Sequence, residues 1–288
     1  MRSRWFAPVL ASLGATTFLA AGYLSLVDSP RISCCLRLIR WQPGRSEYFL
    51  LMDAVPLGVF ALALGTSAWM LIASPRSSPL VRGLFLSAGV VGIALIVRSA
   101  AGFIDIKGGV PRIGAILGLI GAFLICAAAF ALPRDATQTG EYPNGSLLPR
   151  LVGSSAIIVG AGAWITALLM PWTLKPIRIG WGLDPRSPYW IWPTILSAAI
   201  VIPTLVAGFR MLRSDPPRTA VGLAIAGALF AMMLFLHPFG YTLEFSSHPL
   251  SRPISPAAGA RLGLSAGGIM LGGAFLHAFL LRHRPSSG

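Results

Sequence analysis

Long apolar runs separated by short polar breaks set the rhythm of this 288-residue chain. Eight such runs lie near residues 5–27, 49–73, 82–104, 113–133, 151–171, 190–212, 219–240 and 262–281. Each has the roughly 20 residues that a helix needs to cross a bilayer. Backbone N–H and C=O groups cannot be left bare in lipid, so runs of this length predict helices rather than open strands. The short alternating strands of an outer-membrane barrel are absent from the pattern. The predicted class is an all-α integral membrane protein with eight transmembrane helices.

The polar breaks are of two kinds. SPRSSP (74–79) and RSDPPR (213–218) are short, whereas 28–48 and 172–189 are long and resemble each other. Pro30, Arg37, Arg45, Ser46 and Tyr48 recur as Pro171, Arg178, Arg186, Ser187 and Tyr189, all at an offset of 141. The shared pattern is P-x6-R-x7-R-S-x-Y. The third and seventh spans coincide at an offset of 139, where Gly83-Leu84 meets Gly222-Leu223, Arg98 meets His237 and Asp105 meets Glu244. The fourth and eighth open alike at an offset of 149, with Arg112, Gly114 and Gly118 over Arg261, Gly263 and Gly267. These correspondences predict two tandem four-helix repeats, residues 1–133 and 151–288, joined by a Pro-, Gly- and Asn-bearing linker at 134–150. Four spans per copy make the copies insert the same way up, related by an axis along the membrane normal.

Composition sharpens the class. The chain is 55% hydrophobic and 11% charged, with a mean hydropathy of +0.74; soluble domains carry about 25% charged residues. A net charge of +14 would suit a nucleic-acid partner, but the arginines mark span ends and no soluble domain has room to hold them, so no nucleic-acid partner is expected. The expected partners are the lipid bilayer and other membrane subunits. Three cysteines, Cys34, Cys35 and Cys126, supply neither a disulfide framework nor metal-ligand spacing. No cofactor and no metal are expected. Basic residues divide 11 to 11 between the two faces, and setting aside the six that recur between halves leaves 11 to 5 for the face bearing the termini. The positive-inside rule then places both termini in the cytoplasm of a multi-pass cell-membrane protein.

Polar residues inside spans are the candidate chemistry. Asp53 and Arg98 lie at similar depth in adjacent spans and are expected to form an ion pair, since a charge in hydrocarbon needs a partner or water. Thr194 and His237 stand at the corresponding places in the second half. Arg98 with Asp105, and His237 with Glu244, are seven residues apart, two helical turns and therefore one face. These four are the candidate ligand-binding residues. The R-S-x-Y motif reads first as an interfacial anchor. Gly114, Gly118, Gly263 and Gly267 read as packing surfaces where helix backbones approach closely. No paired carboxylates, H-E-x-x-H, G-x-S-x-G or phosphate-cradling loop is present, so no catalytic residue is assigned.

Trp181-Gly182-Leu183-Asp184 ahead of a proline-bearing span resembles the opening of a family of small bacterial four-helix membrane proteins of unknown function. Arg98-Ser99-Ala100-Ala101-Gly102-Phe103 resembles another part of it. The resemblance implies a four-helix unit and no chemistry. The expected function is binding or transport of a small solute or lipid-type molecule between the two repeats. A non-catalytic subunit or scaffold of a larger membrane complex is the alternative, and a membrane-embedded enzyme the third.

Overall fold

A computed structural model describes residues 5–21, 27–28, 54–72, 78–107, 110–111, 113–132, 147–170, 173–174, 191–213, 218–246, 255–256 and 258–282. Among these, eight helices and four two-residue strands appear in the order α1 (Phe6–Ala21), β1 (Val27–Asp28), α2 (Ala54–Ile72), α3 (Ser78–Lys107), β2 (Val110–Pro111), α4 (Ile113–Ala131), α5 (Leu147–Leu169), β3 (Thr173–Leu174), α6 (Ile191–Met211), α7 (Arg218–Ser246), β4 (Ser255–Pro256) and α8 (Ala258–Arg282). Five of the helices, α3, α4, α5, α7 and α8, are long and apolar enough to cross a membrane. Their exteriors carry exposed apolar side chains such as Ile116, Phe123, Val159 and Phe275. That is the surface expected of helices solvated by lipid.

Helices α1 to α4 close into a ring of neighbours, α1 on α2, α2 on α3, α3 on α4 and α4 back on α1. Helices α5 to α8 close in the same order. The rings meet through α3 on α7, flanked by α3 on α6 and by α2 on α7. Beyond the helix ends, β1 pairs antiparallel with β2, joining Val27 to Pro111 and Asp28 to Val110. β3 pairs with β4 in the same way, joining Thr173 to Pro256 and Leu174 to Ser255. Each small ribbon ties the connection leaving the first helix of a ring to the connection leaving its third. Nothing in the apolar pattern announces strands this short.

The tightest seams run where glycine replaces a side chain. A Cβ added at Gly14 would stand 2.7 Å from the Gly121 carbonyl, and one at Gly121 would stand 2.6 Å from the Phe18 nitrogen. α1 and α4 therefore touch backbone to backbone. α5 and α8 do so at Gly273, whose added Cβ would lie 2.5 Å from the Gly153 carbonyl. Without water to expel, close packing of this kind is what holds helices together in lipid.

The buried positions of the two rings fall into matching registers. Ala7, Ala11, Gly14, Ala15, Phe18 and Ala21 of α1 correspond to Gly153, Ile157, Gly160, Ala161, Trp164 and Ala167 of α5, a shift of 146. Gly118, Gly121, Ala122, Ile125 and Ala128 of α4 match Gly263, Ala266, Gly267, Met270 and Gly273 of α8, a shift of 145. This is one helical turn away from the 149 at which the R-[IL]-G-x3-G motifs coincide. Along α3 and α7 the shift is 139, as the sequence pattern gives, with Phe85, Leu95 and Ile96 over Ala224, Leu234 and Phe235.

Several helices run past the ends of the apolar runs. α3 and α7 reach Lys107 and Ser246, past the predicted ends at 104 and 240. α7 continues through Pro238, where the missing N–H and the ring would ordinarily break a helix. α5 begins at Leu147, so the last four residues of the expected linker are its first turn, with Pro149 where an N–H has no helical partner to lose.

Candidate functional site

The centre of the molecule is the contact between α3 and α7. A Cβ at Gly83 would strike the Thr219 carbonyl and stand 2.9 Å from the Gly222 Cα; one at Gly222 would strike the Leu80 carbonyl and stand 3.1 Å from the Gly83 Cα. Each glycine faces the residue that the 139 offset pairs it with. Farther along, α2 bridges the pair: a Cβ at Gly58 would meet the Met233 sulfur of α7, and a Cβ at Gly92 of α3 would lie 3.5 Å from Val59. Two contacts at rising residue numbers on both helices mean that α3 and α7 run parallel.

Parallel helices in a common register carry their residues to common heights. Arg98 lies fifteen residues beyond Gly83, and His237 fifteen beyond Gly222, which is roughly 22 Å of helix in each case. Asp105 and Glu244 follow two turns later. α3 and α7 hold all four residues on unbroken helix; their backbone placement is described and their side chains are not. Asp53 lies outside the described residues, just before the first residue of α2. The expected Asp53–Arg98 pair therefore has one member outside the description. Pro30, Arg37, Arg45, Ser46, Tyr48, Pro171, Arg178, Arg186, Ser187 and Tyr189 also fall outside it.

The packing glycines are placed. Gly114, Gly118, Gly263 and Gly267 are all buried. A Cβ on Gly118 would lie 2.6 Å from the Ile96 side chain, one on Gly263 would enter the Phe235 ring, and one on Gly267 would stand 2.5 Å from the Met232 side chain. Gly118 thus seats α4 on α3, and Gly263 and Gly267 seat α8 on α7.

Three polar features escaped the sequence pattern. Ser154 of α5 and His277 of α8, both fully buried, share a hydrogen bond of 3.1 Å between Oγ and Nε2. They stand 123 residues apart in sequence, and the only hint of their meeting is that each follows a glycine-lined seam. The Trp164 indole N–H donates to the Ala231 carbonyl at 3.1 Å, and its ring meets Phe235 edge to face at 5.5 Å. Arg82 donates from Nε to the Ala129 carbonyl at 3.2 Å and from Nη2 to the Leu132 carbonyl at 2.9 Å. Arg218 donates from Nη2 to the Leu281 carbonyl at 3.4 Å. These two arginines cap the carboxyl ends of α4 and α8, where unsatisfied carbonyls and the helix dipole favour a cation.

Among the described residues no cluster of His, Cys, Asp or Glu could hold a metal ion. Cys126 is a free thiol packed over Gly89, a position that a Cβ on Gly89 would contest. No family model, curated protein or solved structure matches the chain. The likeness to small four-helix membrane proteins therefore rests on its two short stretches.

Proposed function

We propose that the chain is a tandem duplication of a four-helix membrane unit, with eight spans and its halves related by a pseudo-twofold axis along the membrane normal between α3 and α7. A small solute or lipid-type molecule binds or passes between the halves, at the level of Arg98, Asp105, His237 and Glu244 on the two central helices. The observation that carries this reading is the parallel register of α3 and α7. Gly83 and Gly222 face each other, as equivalent residues do at a twofold axis. The same register brings a basic or titratable residue and then an acid to equal heights on both helices. Ionisable residues at one depth in a duplicated membrane protein mark a candidate pathway. Arg98 would hold an anionic group of the ligand, and His237, the weaker cation opposite, would make the site asymmetric. No ATP-binding loop is present in the sequence, so active movement would draw on an ion gradient or a partner.

Reconstitution tests this. Arg98→Gln and His237→Gln are each compared with the parent for binding and flux of small carboxylates and short-chain phospholipids in proteoliposomes. Both variants should insert, and each should lose binding by about tenfold, the worth of one charge-assisted contact. Undiminished binding in Arg98→Gln sinks the reading. The second reading, a subunit of a larger complex, draws on the exterior of α8. There Ser265, Gly268 and Gly272 stand at positions where α4 exposes Ile120, Phe123 and Ala127.

A further inference from the structure

Among the described glycines, three face across the seam between the halves, and they make two kinds of contact. Gly83 of α3 and Gly222 of α7 meet opposing backbone, the first at the Thr219 carbonyl and Leu223 nitrogen, the second at the Leu80 carbonyl. Gly58 of α2 meets side chain only. A Cβ there would strike the Met233 sulfur of α7 and stand 3.0 Å from the Met233 methyl carbon and 3.4 Å from the Phe230 ring. The thioether of Met233 therefore fills the hollow that Gly58 leaves, and joins the second half to the first.

The two contacts stand at different heights. Met233 is eleven residues beyond Gly222, about 16 Å along the helix. Gly83 and Gly222 are equivalent residues meeting where the halves are related, so a rotation of one half on the other about that crossing leaves the crossing nearly in place. A rocking of about 10°, the scale of subunit rotations, separates the helices by ~1 Å one turn from the crossing. The same rocking gives ~3 Å at Met233 and ~6 Å at the far ends of α3 and α7. His237 follows Met233 by four residues, one turn. Opening the seam at the level of Arg98 and His237 thus requires Met233 to leave Gly58.

This contact is one-sided. The offsets of 139 and 141 that superimpose the halves put Ala94 in the place of Met233 and Ala199 in the place of Gly58. Two alanines supply neither a long side chain nor a hollow to receive one. Methionine suits a contact that is made and broken: it is unbranched, turns about three bonds and packs through a polarizable sulfur. It can leave and re-enter the hollow while both backbones stay as they are.

We infer that Met233 seated on Gly58 is a latch that holds the two halves closed, and that the Gly83–Gly222 crossing is the pivot on which they part at the outer end. The inference rests on the reading that the passage lies between the halves, and it adds the element that opens that passage.

Nitroxide pairs test it on the full chain in lipid nanodiscs, with Cys34, Cys35 and Cys126 replaced by alanine. One pair, K107C/S246C, reports the outer ends of α3 and α7; the other, S78C/P217C, reports the inner ends. Distances are read by double electron–electron resonance. M233A removes the latch, and G58A displaces it by filling the hollow, where only the mobile end of Met233 must give way. Each should lengthen the outer distance by about 4–6 Å, or add a population that far out, with the inner distance unchanged. The control M232A shortens the neighbouring methionine, which packs on Gly267 within the second half, and should give the parent's distances. An unchanged outer distance in M233A (or in G58A, should M233A fail to fold), an equal shift at the inner pair, or an equal shift in M232A each overturns the latch. No solute is needed for these distances. A latch that opens while Arg98→Gln binds as the parent does therefore sinks the binding reading alone, and lost binding in Arg98→Gln with unmoved distances sinks the latch alone.

Discussion

Ser154 and His277 show what one polar pair does inside a lipid-solvated bundle. Their register equivalents in the other ring are Pro8 and Leu132, both buried and neither with a polar side-chain atom. The seam therefore closes without the hydrogen bond, and what the pair adds is a penalty for breaking it. A buried donor or acceptor that loses its partner costs about 1–3 kcal/mol, whereas replacing both partners by apolar groups is close to neutral. Ser154→Ala and His277→Leu should each lower stability in that range. The double change should recover most of the loss, giving a coupling of about 1 kcal/mol in a double-mutant cycle read by reversible unfolding in detergent. Strict additivity would mean that the hydrogen bond carries no weight. Neither residue is conspicuous in sequence, because a serine in a glycine-rich helix and a histidine near a helix end are individually ordinary. Only the antiparallel docking of α5 on α8 turns them into a pair.

The elements that most constrain the architecture are the glycine contacts, and these are not equivalent to one another. At Gly83 and Gly222 an added Cβ would meet opposing backbone, which cannot rotate away, whereas at Gly118 it meets the far end of an isoleucine. At Gly65 and Gly162 it meets nothing within 4 Å. Gly83→Ala should therefore destabilise by about 1–3 kcal/mol, as overpacking does, and should weaken the contact between α3 and α7. Gly162→Ala should stay within about 0.5 kcal/mol of the parent, or gain slightly from helix propensity. Thermal unfolding of the two variants side by side checks this, and a neutral Gly83→Ala would remove the close crossing. The sequence offered G-x3-G spacings on several helices alike. Which of them face a helix and which face lipid depends on a rotation about each axis that the spacing leaves open.

For the whole molecule, the directions of the helices fix which ends share a face. The starts of α3 and α7, the ends of α4 and α8 that their arginines cap, and the starts of α1 and α5 lie together; the two ribbons lie at the other face. At 30 and 29 residues, α3 and α7 are about 45 Å long, against a hydrocarbon thickness of about 30 Å. Their last turns therefore stand in or above the headgroups, beside the ribbons. We expect cysteines placed at Arg76 and Arg213 to react with a membrane-impermeant maleimide only after permeabilisation of intact cells. Cysteines at Gly109 and Ser255 should react beforehand. The reverse pattern would invert the molecule in the membrane and place the arginine-rich end outside.

The sequence by itself determined the helices, because burying an unsatisfied backbone in hydrocarbon is costly enough that about 20 apolar residues admit almost one solution. It also aligned Gly83 with Gly222 at an offset of 139, but that these two glycines meet came from the tertiary structure. It placed the fourth and eighth helices one turn out, because small residues recur on them at nearly every turn and a motif of two glycines fits more than one of those turns. Tertiary structure alone decided which glycines touch, that Ser154 meets His277, and that Arg82 and Arg218 close helix ends. Each depends on how far neighbouring helices slide and rotate against one another. Apolar pattern is nearly blind to that choice in lipid, where every outward face is equally well solvated.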